Sequence, residues 1–249
     1  MSIIHAGATD IGRKRKTNQD SICLDPAHHF FAVADGMGGH NGGDIASQMT
    51  AALMPPFLTK FRSELEPKDL VSRCIQHVNQ EIHRKSDEEP ELKGMGTTVA
   101  VLYYHGNKVW IGNVGDSRVY MMHNGELFQL TRDHSFVQEK LNMGVYNRKD
   151  ALLDKQKNVL VRSVGFEPEV IVDVFSYQVC KNDLFLICSD GLHGKVSDKD
   201  ILYILQKNIP IPAQAKNSDL QNAVKELIHQ ANENGGQDNI SVVLSLAQE

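Results

Sequence analysis

Five aspartates in this chain stand where an apolar run begins or ends. FFAVAD closes on Asp35 and is followed by GMGGHNGG; LFLICSDG closes on Asp190 and Gly191; VWIGNVGDSR runs into Asp116; GGQDN puts Asp238 ahead of ISVVLSL; TNQD puts Asp20 ahead of SICL. Singly, each is a turn former at a place where a strand must turn. Gathered at one end of buried strands, they would repel one another unless cations neutralised them. Oxygen donors, with no HExxH and no Cys/His spacing of the zinc type, favour hard ions such as Mg²⁺ or Mn²⁺. A pair of such ions lowers the pKa of a bridging water and holds it for in-line attack on phosphorus, so hydrolysis of a phosphate ester fits the pattern. The glycines after Asp35 would free the backbone to bring the Gly36 carbonyl onto a metal or let substrate approach. A flexible loop is the plain alternative.

Short β-type runs must position these groups: Ser21 to Leu24, Phe30 to Ala34, Val99 to Tyr104, Val109 to Val114, Val119 to Met122, Val170 to Phe175, Leu184 to Cys188 and Ile240 to Leu246. They are rich in Val, Ile and aromatics and bounded by Gly, Asn or Asp. They come in blocks, without a helix after each, so an antiparallel arrangement is expected. Asn124-Gly125 predicts a hairpin, because both positions accept positive φ. A helix is expected from Asp44, broken or kinked at Pro55-Pro56. Another is expected from Pro67, with Leu70, Cys74, Ile75, Val78 and Ile82 on one face. A third, opening at Ser218 or Asp219, carries Leu220, Val224, Leu227 and Ile228. Amphipathic helices beside strands that are apolar at nearly every position imply sheets covered on both faces.

Composition narrows the class. The chain has 249 residues, 41% hydrophobic and 23% charged, with a net charge of -5. That balance argues for a folded chain and against a nucleic-acid partner. No apolar run reaches the length of about 18 residues that spans a bilayer, so no membrane partner is expected. Cys23, Cys74, Cys180 and Cys188 form no CxxC pair, and the start lacks a signal-peptide profile, which together predict a reduced, cytoplasmic setting. All four cysteines are expected to serve as buried or half-buried packing. With no repeat and no low-complexity linker, a single domain over residues 1–249 is expected, and a charged segment at about 136–160 reads as a surface insertion.

RKTNQD, ADGMGGH, GMGTT, GDSR, TRDHS, SDG and GGQDN, in that order, resemble the motif series of the metal-dependent protein serine/threonine phosphatases, the PPM or type 2C family, in its compact bacterial form. DG or GDS alone would be weak; the series covers nearly the whole chain. The resemblance implies an α+β fold, a four-layer α-β-β-α sandwich of two antiparallel sheets flanked by helix pairs, with a two-metal centre at one edge. It implies that Asp35 bridges two Mn²⁺ or Mg²⁺ ions, that Gly36 gives its carbonyl, and that Asp190 and Asp238 complete the second site. Asp20 joins the metal set, Gln19 standing where many members have Glu. Asp116, with Asp190, matches a third, weaker ion.

Arg15 matches the phosphate-binding arginine, and a guanidinium suits that task because it grips two phosphoryl oxygens at once. Without the motif it would read as an exposed base in RKRK. The His that follows the bridging Asp-Gly in animal-type members is Met37 here. His40 could lend a proton through water, or orient the glycine loop. His134 reads as support for the loop entering the insertion, which falls where the family has its flap. The expected activity is removal of phosphate from phosphoserine and phosphothreonine by metal-activated water, without a phosphoenzyme. Expected partners are phosphorylated proteins, including a serine/threonine kinase and its substrates, met by a monomer. A catalytically inactive, phosphoprotein-binding pseudophosphatase is the rival reading, but no metal aspartate is missing. A phosphodiesterase or nuclease is disfavoured by the acidic balance and the lack of a basic, aromatic stripe.

Overall fold

In the computed structural model, residues 2–37, 42–147, 150–151, 154, 156 and 158–248 are described. The strands are β1 (Ser2–Asp10), β2 (Asp20–Asp25), β3 (Phe30–Met37), β4 (Gly96–Thr97), β5 (Val99–His105), β6 (Lys108–Val114), β7 (Arg118–His123), β8 (Glu126–Gln129), β9 (Asp173–Gln178), β10 (Leu184–Cys188) and β11 (Ile240–Gln248). They form two antiparallel sheets, one in the order β1-β11-β10-β7-β8, the other β2-β3-β5-β6-β9 with β4 paired to β3. Helices α1 (Gly43–Phe61) and α2 (Pro67–Glu88) follow β3, α3 (Phe136–Asn142) follows β8, and α4 (Asp190–His193), α5 (Asp198–Asn208) and α6 (Asn217–Glu233) lie between β10 and β11.

The continuous hydrophobicity of the strands has a direct cause. Successive side chains of a strand point to opposite faces, and here both faces are covered. Along β10, Leu184, Leu186 and Cys188 face a core shared with α5 and α6, whereas Phe185 and Ile187 face the space between the sheets. Along β3, Phe30 and Ala32 pack toward α1 and α2, whereas Phe31 and Val33 enter the same inter-sheet core. The four-layer expectation is met. The hairpin is met as well: Asn124 and Gly125 have φ of 50° and 82°, and His123 pairs with Glu126.

Several local expectations need correction. Of the two outcomes expected at Pro55-Pro56, a break or a kink, the break does not occur: helix α1 runs on to Phe61. Met54 and Leu58, both fully buried, anchor the segment on either side of the prolines, Pro56 faces solvent, and Thr59 Oγ1 donates to the Pro55 carbonyl at 3.0 Å. Packing of the inner face thus outweighs the lost backbone donors. The strand expected at Val170 begins at Asp173, where pairing with Asn113 of β6 starts; Val170 and Val172 pack instead against the helical core. Helix α6 starts at Asn217, and Asp219 caps it by accepting from the Lys216 backbone at 2.8 Å. Strand β1 and helix α5 were not anticipated. Cys23, Cys74 and Cys188 are buried as expected, but Cys180 is exposed.

Candidate active site

Strand ends of both sheets meet at one edge of the sandwich. Asp35, near the end of β3, lies opposite Asp20, the first residue of β2. Asp190 opens α4 directly after β10, and Asp238 precedes β11, the antiparallel neighbour of β10. Asp116 sits in the turn from β6 to β7, and Arg15 in the loop from β1 to β2. Arg15, Asp35, Gly36, Asp116, Asp190 and Asp238 line one cleft of about 280 Å³. Asp20 is buried behind that lining, where its Oδ2 accepts from Ser189 Oγ at 2.7 Å. His40 lies outside the described residues.

Two Asp-Gly pairs are fixed by close backbone approach. A Cβ on Gly36 would stand 1.9 Å from the Gly43 carbonyl oxygen and 2.5 Å from that of Gln19; one on Gly191 would stand 1.9 Å from the Asn239 carbonyl oxygen. These glycines let neighbouring loops seat against Asp35 and Asp190. Asp35 is held further by Thr98: its N–H donates to Thr98 Oγ1 at 3.0 Å, and its carbonyl accepts from the Thr98 N–H at 2.8 Å.

The electrostatics are those of an acid cluster in a poor solvent. Burial, then the charges of Asp20, Asp190, Asp116 and Asp238, hold the Asp35 carboxyl well above its ordinary value. Burial pushes Asp20 up to about 7, reinforced by Asp190 and Asp238 and opposed by hydrogen bonds from Ser189 and Ser241. Asp116 rises to about 8 through burial and then Asp190; Asp190 rises to about 6 through burial and then Asp238. The facing cation is Arg15, whose Nη2 donates to Asp238 Oδ2 at 2.7 Å. Asp20 Oδ1 and Asp190 Oδ1 are buried without a hydrogen-bond partner among the described residues. Unpaired buried carboxylate oxygens are costly, and a set of oxygen donors suits hard divalent cations. The residues present therefore fit a metal centre.

Other groups here were not singled out from sequence. Asn239 clamps the Arg15 loop: its Nδ2 donates to the carbonyls of Ile11 at 2.9 Å and Thr17 at 3.0 Å, and its Oδ1 accepts from Gln19 N–H at 2.8 Å. His193, kept neutral by burial with its pKa near 3, donates from Nε2 to the Asp116 carbonyl at 3.0 Å. The spacing Asp190 to His193 is visible as one helical turn, but nothing local names His193's partner. His134 does support its loop: Nδ1 accepts from Gly115 N–H at 3.0 Å, and Nε2 lies 3.1 Å from Asp173. Ser135 bridges Leu160 at the base of the insertion, and Asn158 and Leu160 reach the cleft.

The sequence profile of the family described as Protein phosphatase 2C matches residues 9–245. The serine/threonine phosphatase stp of Listeria monocytogenes is 37% identical over 242 residues, covering 95% of this chain and 92% of that protein. The crystal structure of the Mycobacterium tuberculosis serine/threonine phosphatase PstP/Ppp superposes with a TM-score of 0.89 at 31% identity, over 99% of both chains. The catalytic domain of PstP in complex with 2 manganese ions superposes with a TM-score of 0.85 at 30% identity, over 100% of both.

Proposed function

Since the chain belongs to the protein phosphatase 2C family and is a metal-dependent protein serine/threonine phosphatase with a dinuclear centre, we infer that Asp35, Gly36, Asp190 and Asp238 hold its two ions. Asp35 is the shared ligand and Gly36 contributes its carbonyl. Asp20 acts through water, since its carboxyl is buried behind the cleft lining. Asp116, beside Asp190, takes a third and weaker ion. The ions are Mn²⁺ or Mg²⁺. The observation that carries this reading is the convergence of four carboxylates and one guanidinium on a single cleft.

When bound, the ions neutralise the carboxylates and activate the attacking water. The chain's own groups do the rest. Arg15, about half exposed and already turned to Asp238, binds two phosphoryl oxygens and balances charge as the phosphoryl group transfers. Thr98 and Asn239 hold the Asp35 backbone and the Arg15 loop in place. The cleft lining holds no cysteine, serine or histidine among the described residues, Thr98 Oγ1 is tied to the Asp35 N–H and Ser117, and the aspartates are the groups that would hold the ions, so water is the nucleophile and hydrolysis is direct, without a phosphoenzyme. His40 lends the leaving alkoxide a proton through water.

Residues 1–249 form one catalytic domain whose segment 136–160 acts as a flap beside the cleft. Its substrates are phosphoproteins, among them a serine/threonine kinase and that kinase's targets, and it works as a cytoplasmic monomer without nucleic acid. No helix among the described residues is long and apolar enough to cross a membrane. The test is phosphate release from a phosphothreonine peptide by wild type and Asp190→Asn, with Mn²⁺, with Mg²⁺ and with excess chelator. Metal-dependent turnover that the substitution removes is expected; turnover that survives both chelation and Asp190→Asn would overturn the assignment.

A further inference from the structure

Strands β7 and β10 are antiparallel neighbours with Met122 opposite Leu184. The same register carried outward sets His123 against Asp183, at the end of the sheet away from the acid cluster. His123 Nδ1 lies 2.6 Å from Asp183 Oδ1. The turn that leads into β10 adds a third group. Asp183 Oδ2 accepts from the Cys180 N–H at 2.7 Å, and the Asp183 N–H donates to the Cys180 carbonyl at 3.2 Å. Asn182, at a φ of 74°, bends the chain between them. Two backbone bonds to Ala247 of β11, one from Asn182 N–H at 2.8 Å and one to the Asp183 carbonyl at 3.0 Å, fix the turn to the sheet.

One ligand atom from each of His123, Cys180 and Asp183 lies within 4.8 Å of the others. Asp183 is buried, His123 half-buried and Cys180 exposed, so the cluster opens to solvent on the thiol side. We propose that His123, Cys180 and Asp183 form a second, mononuclear cation site, for a thiophilic divalent ion of the zinc class.

Donor chemistry separates this site from the cleft. The cleft offers carboxylates and suits hard ions, whereas thiolate, imidazole and carboxylate together suit Zn²⁺ or a borderline ion such as Co²⁺. With bonds of about 2.3 Å to sulfur and 2.0–2.1 Å to nitrogen, the ligand atoms of a tetrahedral ion stand roughly 3.3–3.6 Å apart. A cation entering between His123 Nδ1 and Asp183 Oδ1 widens that contact by under about 1 Å, and Cys180, being exposed, has room to rotate inward. Binding sends the thiol proton to solvent. The fourth position stays open to water.

The site is roughly 20 Å, the length of β10 and its flanking turns, from Asp190. Cys180 follows β9 of one sheet, whereas His123 ends β7 of the other. A bound ion thus ties the turn leading into β10 to the end of β7, opposite the cleft.

Cobalt reports on it directly, because a thiolate bound to Co²⁺ gives a near-ultraviolet charge-transfer absorbance that carboxylate ligands do not. Reduced wild-type protein titrated with Co²⁺ is expected to develop that band, saturating at one thiolate-bound ion per chain. The band should vanish in Cys180→Ser and persist in Asp190→Asn. In wild type, Zn²⁺ should slow the reaction of Cys180 with a thiol reagent by about tenfold or more, and His123→Ala should abolish that protection. Absence of the band at saturating Co²⁺, its survival in Cys180→Ser, or an unchanged thiol reaction rate with Zn²⁺ would overturn the proposal.

Discussion

Asp190→Asn is expected to remove turnover and, in the presence of chelator, to make the protein more stable. Burial and then the Asp238 charge raise Asp190 to about 6, against 3.8 for the free side chain. A carboxyl whose folded value is raised contributes most to stability below about pH 3.8 and loses that contribution as pH rises through about 6. At about 1.4 kcal/mol per pH unit, the ionised side chain costs the metal-free fold on the order of 3 kcal/mol at pH 7.5. Asparagine has nearly the same shape and does not ionise. For a chain of this size the variant should melt roughly 6–12 °C above chelated wild type at pH 7.5. Near pH 4 the gap should fall below about 1 kcal/mol. Saturating divalent ion reverses the order: at roughly a thousandfold excess over Kd wild type gains about 4.1 kcal/mol, more than the variant's lead of about 3 kcal/mol, and the variant, short of one ligand, gains less than about 1 kcal/mol. Differential scanning calorimetry at the two pH values, with chelator and with Mn²⁺, measures all of this. A variant that melts at or below chelated wild type at pH 7.5 would refute the argument that these carboxylates are held together against their own repulsion.

Arg15→Ala should lower kcat/KM on a phosphothreonine peptide by about a hundredfold, while the unfolding midpoint of the metal-loaded protein moves little, since its pair with Asp238 is half exposed; unchanged kinetics would count against phosphate binding there. Asn79 is buried in α2, where its Oδ1 accepts from Gly165 N–H at 2.6 Å and its Nδ2 donates to the carbonyls of Glu167 and Pro168 at 3.0 and 3.2 Å. Asn79→Ala strands those groups and should cost roughly 2–4 kcal/mol in urea unfolding. Gly36→Ala should destabilise by several kcal/mol on the same scale, because its Cβ has no space between the carbonyls of Gly43 and Gln19. His134, facing Asp173, Arg162 and Asp133, has a pKa lowered by burial. Its contribution is present above the free value of about 6.5 and is lost as pH falls below it, so metal-loaded wild type should lose stability from pH 8 to pH 5 more steeply than His134→Gln.

Much of the fold was legible because its causes are local. Asn124-Gly125 dictates its hairpin through two backbone angles, and the stripe from Leu70 to Ile82 dictates α2. Strands apolar at every position require cover on both faces, whereas the four-layer order is implied only by the resemblance to the type 2C family. Where such a strand runs into an aspartate, a candidate for chemistry is visible in the residues. Of the two missed elements, one carried readable signals. Helix α5 has a cap at Ser197, which accepts from Asp200 N–H at 3.2 Å, and a stripe at Ile201, Ile204 and Leu205. Strand β1 is different, since its pairing with β11 joins the two ends of the chain.

What the sequence determined by itself, then, was the set of groups available and the strand ends that carry them; the tertiary structure decided which groups meet. Arg15 reaches Asp238 across 223 residues, Ser189 reaches Asp20 across 169, and His193 reaches the Asp116 carbonyl across 77. No periodicity or turn preference encodes such partners, because each depends on sheet register summed over many strands. The same holds for Pro55-Pro56, which packing of Met54 and Leu58 keeps helical, and for Cys180, which the end of the sheet leaves in solvent beside His123 and Asp183. Local preference is set by a few neighbouring residues, whereas burial and proximity are set by the whole chain.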